Sequence, residues 1–104
     1  MTSAQVKAKI VAEIGNQWDV KNAHGVDLRT CLVEPELRDY YDHNQTEPPE
    51  KLWLVLEEDP AQHRGYSIIY DEHEDMFGLA IRTQTQKGMC IGLYGSFIET
   101  LEAM

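Results

Sequence analysis

The densest run of chemically capable side chains is Asp71-Glu72-His73-Glu74-Asp75, four carboxylates and one imidazole in succession. Oxygen ligands of this kind suit a hard cation. A calcium loop counted from Asp71, however, needs glycine at its sixth position and glutamate at its twelfth, and Met76 and Arg82 stand there. The run therefore reads as a solvated hairpin turn, with a weak metal-binding module as its functional alternative. Cys31, His24 and Asp27 are the types of a thiol nucleophile with its base and orienting acid. Cys31 sits in the apolar phrase Thr30-Cys31-Leu32-Val33, and apolar surroundings raise a thiol pKa and blunt its reactivity. Glu57 with Glu58, or Glu72 with Glu74, has the composition of an acid–base pair. Such work needs carboxylates set across a cleft with one pKa raised by burial, and these pairs read instead as solvated rim. Gly92-x-x-Gly95-Ser96 opens a helix and could receive an anion, but it lacks the P-loop lysine. A Ser96–Glu99 capping box would place a carboxylate on the same N–H groups. No catalytic residue, metal ligand or cofactor follows from these patterns, and a non-enzymatic protein is the expectation.

Charge says more. From Glu34 to Asp75 the chain holds 13 Asp/Glu against Arg38, Lys51 and Arg64, a net of -10, while the remaining residues carry +1 of the total of -9. One central acidic block repels nucleic acid and anionic membrane and attracts basic partners. No basic stripe exists, which disfavours nucleic-acid binding. Arg38-Asp39-Tyr40-Tyr41-Asp42 sets aromatics beside acids, the composition of a protein-binding surface. Glu57-Glu58-Asp59 forms a second acidic group. The candidate partner-binding residues are thus Asp39, Tyr40, Tyr41, Asp42, Glu57, Glu58 and Asp59. On this reading, reversing Glu57, Glu58 and Asp59 to lysine leaves folding intact and slows association.

A chain of 104 residues forms one domain, with a folded accessible surface of roughly 6,000 Å². Its two cysteines, Cys31 and Cys90, show no CxxC spacing, so neither a disulfide framework nor a zinc site is suggested. Met1-Thr2-Ser3-Ala4-Gln5 has no basic segment leading into an apolar run. No stretch approaches the ~20 apolar residues of a membrane span, and a cytoplasmic protein is expected. Asn44-Gln45-Thr46 matches a glycosylation sequon, which carries no weight without a secretion signal.

These side chains must be held by an α+β scaffold. Thr2-x-x-Gln5 predicts a capping box, Val6, Ile10, Val11 and Ile14 one helical face, and Gly15 its stop. Trp18 and Val20 are anchors in the loop that follows. A strand is expected over Asp27–Val33, ending before Pro35, and residues 37–42 suit either a helical turn or an edge strand, with strand preferred. The double proline marks His43–Glu50 as loop. Leu52–Leu56, Tyr66–Tyr70, Met76–Thr83 and Met89–Tyr94 are strands joined by short turns, which favours an antiparallel meander of about four to six strands. Ser96-x-x-Glu99 caps a closing helix with Phe97, Leu101 and Met104 on one stripe. The acidic loops flanking Tyr66–Tyr70 lie at opposite ends of that strand, about 17 Å apart, so they form no single metal centre. The Gln86-Lys87-Gly88 turn is expected at the Glu57–Asp59 end.

Gly78, Ala80, Cys90 and Gly92 are small. If they share a face, the N-terminal helix can approach the sheet closely there. A cleft over the same residues, taking a small molecule as ligand or substrate, is the functional alternative.

The phrases Leu52-Trp53-Leu54-Val55-Leu56-Glu57-Glu58-Asp59-Pro60, Met76-Phe77-Gly78-Leu79-Ala80 and Gly92-Leu93-Tyr94-Gly95-Ser96-Phe97-Ile98-Glu99-Thr100-Leu101 resemble those of small uncharacterised bacterial proteins. In size and acidity the chain is also similar to bacterial immunity proteins. That likeness implies neutralisation of a toxin by binding and transfers no site residues. The expectation is an acidic interaction module, inhibitor or immunity-type, for a basic protein partner. Monomer and homodimer both stay open, since an exposed sheet edge supports either.

Overall fold

The structure, a computed structural model, describes residues 1–42, 44, 48–82 and 88–104. Gln45 and Thr46 of the sequon and Gln86 and Lys87 of the expected turn lie outside them. The elements are helix α1 (Ser3–Ile14), helical turn α2 (Leu28–Cys31), strands β1 (Leu32–Tyr41), β2 (Glu50–Asp59), β3 (Arg64–Asp71), β4 (Met76–Arg82) and β5 (Gly88–Gly95), and helix α3 (Phe97–Ala103). This is an α+β fold: an N-terminal helix, a five-stranded antiparallel meander and a short C-terminal helix. The accessible surface is 6021 Å².

The helix ends form as their residues dictate. The Gln5 backbone N–H donates to Thr2 Oγ1 at 3.2 Å and the Thr2 N–H to Gln5 Oε1 at 2.8 Å, the reciprocal box. Gly15 stops α1 with a positive φ of 56°. Val6, Ile10 and Ile14 are buried, whereas Val11 turns to solvent. Ser96 Oγ caps α3 by accepting from the Glu99 N–H. Glu13 of α1 reaches across and accepts from the Phe97 N–H at 2.8 Å, so a carboxylate already occupies the first turn of α3. Trp18 and Val20 pack against the core.

The strand expected over Asp27–Val33 is instead helical turn α2, and β1 is one strand running through Pro35. Asp27 causes the turn, its carboxylate accepting from the Arg29 N–H at 3.0 Å, an N-cap. Proline is admitted because the β1–β2 register slips between Leu32 and Glu36, and a bulge is where a strand tolerates a missing donor. Ser3 Oγ donates to the Pro35 carbonyl.

Five strands in a meander alternate direction, so β1 and β5 point the same way. The sheet closes into a barrel by their parallel pairing at Tyr40–Gly88 and Tyr41–Met89. Gly88 makes the approach feasible, because a Cβ there would lie 2.6 Å from Tyr40 Cδ1. The lumen of so small a barrel holds only side chains, so the helices lie outside it. The outer core joins Val6, Ile10 and Ile14 to Trp53, Val55, Leu56, Ile68, Tyr70, Phe77, Leu79, Phe97 and Leu101. Phe77 stacks edge-on against Phe97 at 5.6 Å. The inner core is Tyr40, Leu52, Ile69 and Ala80, with Cys90 and Leu93 against it.

Two irregularities decide which residues face inward. Leu54 pairs with Ile69 and Leu56 with Ile68, so β2 carries an extra residue at Val55. One extra residue reverses the alternation of everything beyond it, which turns Glu57 to the inner face with its partner Ser67. Similarly, Ala80 pairs with Cys90 but Leu79 with Gly92. Gly78, Ala80 and Cys90 therefore share the inner face, while Gly92 falls on the other. The expectation that these small residues admit α1 is corrected: three of them face the lumen, away from the helices. A Cβ at Gly78 would run into the Gly92 carbonyl oxygen.

Candidate functional site

The acidic block divides between the two ends of the barrel, and the ends differ. At the β2–β3 turn most carboxylates meet a cation. Glu57 is 3% exposed; its Oε2 lies 2.8 Å from His63 Nδ1 and its Oε1 3.7 Å from an Arg82 guanidinium nitrogen. Glu58 contacts His24 Nδ1 at 2.7 Å and accepts from the Tyr66 N–H at 3.0 Å. Asp59 lies 3.7 Å from Arg64. Glu36 pairs with Arg38, whose Nε is buried without a hydrogen-bond partner among the described residues. The solvated rim expected at Glu57 is thus corrected to a buried carboxylate inside an ionic cluster.

At the β3–β4 turn Asp71, Glu72 and Asp75 accept from the protein's own donors. Asp71 is buried and accepts from the His73 and Glu74 N–H groups. Trp53 Nε1 donates to Glu72. Tyr70 Oη donates to Asp75 at 2.6 Å, and Lys9 of α1 lies 3.1 Å from the same oxygen. The tyrosine's bond, then the lysine's, hold the Asp75 carboxyl below its ordinary range. Among the described residues no group of three or more His, Cys, Asp or Glu is placed to hold a metal.

The thiol constellation does not assemble. Cys31 Sγ contacts the Glu58 carbonyl, His24 is engaged by the Glu58 side chain, and Asp27 caps α2.

The arrangement that does gather candidate residues lies at the other end, along the closing seam. The β1–β5 ladder stops at Tyr41–Met89, where β1 ends, while β5 continues to Gly95. The inner core is therefore reachable from the side. A cavity of about 490 Å³ opens there, floored by Tyr40, Leu52, Cys90 and Leu93 and flanked by Tyr41, Ile91, Gly92 and Pro48, with Asp42 and Glu50 on its wall. No Lys, Arg or His is among its described lining residues. Burial pushes the Tyr40 hydroxyl up to about 12. Burial also raises the Cys90 thiol; a backbone hydrogen bond from Gly92 works against that rise, and the charges of Glu50 and Asp71 add to it. A thiol held protonated is a poor nucleophile; Glu50 and Asp71 favour a cation on the Cys90 side, whereas the charges of Arg38 and Arg82 act at Tyr40.

Of the seven candidate contact residues, Tyr40, Tyr41 and Asp42 come together in this cleft. Tyr40 contributes buried floor, not exposed surface. Asp39 is exposed beside it and paired with Lys51 at 2.6 Å. Glu57, Glu58 and Asp59 lie at the far end of β2, with Glu57 six residues from Lys51, about 20 Å along the strand. The seven do not make one surface. Sequence reasoning missed Glu50, Leu52 and Leu93 as cleft residues. The apolar run of β5, without a charge from Gly88 to Gly95, was the available signal. Comparison with family models, curated proteins and solved structures gives no match.

Proposed function

We propose that the chain is a non-enzymatic acidic interaction module that engages a basic protein through the cleft at the β1–β5 seam. The observation that carries this reading is the lining: two carboxylates above an aromatic and aliphatic floor, with no cationic side chain among its described residues. A lysine or arginine of a partner fits such a site, its stem on Tyr41, Leu52 and Leu93 and its head at Glu50, beside Asp42, whose Oδ1 accepts from the Asn44 N–H. The chain's net charge of -9 adds long-range attraction that salt screens over about 10 Å. Association then falls with ionic strength, chiefly through the on-rate. An inhibitor or immunity-type role is one use of such a module.

The test is an amide NMR titration with a lysine-rich decapeptide and its glutamate-rich counterpart. The reading expects saturable shifts at Tyr41, Cys90 and Leu93 with the basic peptide alone, weakened several-fold in Asp42→Asn/Glu50→Gln. A basic peptide that leaves those residues unmoved at low salt defeats it.

A small-molecule site is favoured by one observation, the cavity's volume of about 490 Å³, within the range of ligand pockets. Thermal stabilisation by an uncharged metabolite, but by no basic peptide, would select that reading.

A further inference from the structure

We infer that the basic partner is received as an added β-strand along the open edge of β5. The inference rests on the proposed interaction module and specifies how its partner binds.

From Cys90 to Gly95 β5 pairs with β4 on one side, at Ala80, Leu79, Gly78 and Phe77, and among the described residues its ladder to β1 ends at Met89 and nothing pairs its other side beyond that. Backbone N–H and C=O groups alternate between the two edges of a strand, so a strand paired on one side offers the other row for pairing. Natural edges are blunted by charge, proline, shortness or β-bulges. The segment Gly88-Met89-Cys90-Ile91-Gly92-Leu93-Tyr94-Gly95 has neither charge nor proline; its register with β4 slips at Ile91 and at Tyr94, and those two side chains are exposed. The cleft runs beside this edge, in the place β1 would fill had it continued past Tyr41. Opposite four residues of β4, the open length is about 13 Å, which the central residues of a six-residue segment would span. Main-chain bonds to β5 would supply affinity, and alternate side chains would meet the cleft.

The occupant is a basic extended segment of another protein. Charge selects it over a second copy of this chain, because pairing two β5 edges would bring two acidic walls and two chains of net -9 together. Residues that point into the cleft, every second one, are lysine or arginine. Those between them are apolar or β-branched.

The test uses the full chain, an alternating lysine–valine hexapeptide, and the same peptide with alternate amides N-methylated on the edge meant to pair. Expected are saturable binding and slowed hydrogen exchange at amides within Cys90–Gly95. N-methylation is expected to cost at least tenfold in affinity, with charge unchanged. Binding of both peptides with equal affinity, without protection of those amides, overturns strand addition and leaves the acidic module standing. Failure of every basic peptide to bind overturns the module itself. Concentration-dependent dimerisation that protects the same amides without peptide transfers the edge to a second copy and overturns the inference.

Discussion

Glu57→Lys, beside Asp59→Lys, separates a buried carboxylate from a surface one. Glu57 is 3% exposed and lies 3.7 Å from Arg82 and 2.8 Å from His63. Removing a charged hydrogen-bond acceptor costs about 1.5–3 kcal/mol. Two like charges at the Arg82 separation repel by about 4.5 kcal/mol at an effective dielectric of 20. Arg82 is about a third exposed, so it can swing toward water, and roughly half of that repulsion survives. The total is about 4 kcal/mol, a large part of the ~5–15 kcal/mol that holds a domain together. With a urea slope of about 2 kcal/mol per molar, the unfolding midpoint falls by ~2 M. Asp59 and its partner Arg64 are both substantially exposed, where an ion pair is worth about 0–1 kcal/mol, so Asp59→Lys shifts the midpoint by less than ~0.5 M. Urea titration followed by Trp53 fluorescence reads both variants. Equal midpoints would refute the inward turn of Glu57. The larger shift would also replace the expectation that reversing the Glu57–Asp59 group leaves folding intact.

Gly78→Ala places a methyl against the Gly92 carbonyl oxygen, backbone that cannot give way. A loss of about 1–3 kcal/mol is expected in the same titration, and an unchanged midpoint would contradict the close β4–β5 approach. Asp75 is held below its ordinary pKa, first by the Tyr70 hydroxyl and then by Lys9. Its contribution is present above the unfolded-state value of about 3.9 and is lost as pH falls through the folded value, because the unfolded chain binds the proton more tightly. Asp75→Asn should therefore flatten the decline of stability with acid below about pH 4, measured by thermal melts across pH; an unaltered slope would count against the Tyr70–Asp75–Lys9 contact.

Local chemistry was legible in the sequence. Thr2 and Gln5 announce the start of α1, Gly15 its end, and Ser96 the start of α3, because caps depend on residues three or four positions apart. The strands β2 to β5 were legible from apolar runs bounded by turns. Asp27 misled because an N-cap and a strand-flanking turn share the same residue types, and Pro35 because a bulge two residues wide can absorb it. Glu57 misled because the alternation of β2 reverses at Val55, where three neighbouring positions are all apolar and carry no mark of the extra residue. The cleft was legible only in part, through Cys90 and Gly92, which do line it while Gly78 and Ala80 do not. It depends on Tyr41 meeting Met89, a long-range contact set by strand count and twist, and no local pattern encodes it.

That contact also sets an order of events. The β2–β3 and β3–β4 hairpins close through turns of a few residues, whereas joining Tyr41 to Met89 requires the whole meander to be in place, a larger loop-closure cost. The seam, with two ladder pairs among the described residues, is therefore expected to form last and to part first. Interactions absent from the folding transition state act on the unfolding rate and barely on the folding rate. A partner strand lying across that line would accordingly lengthen the native lifetime while leaving the refolding limb of the kinetics where it was. The molecule's weakest join would double as the place where its lifetime is regulated.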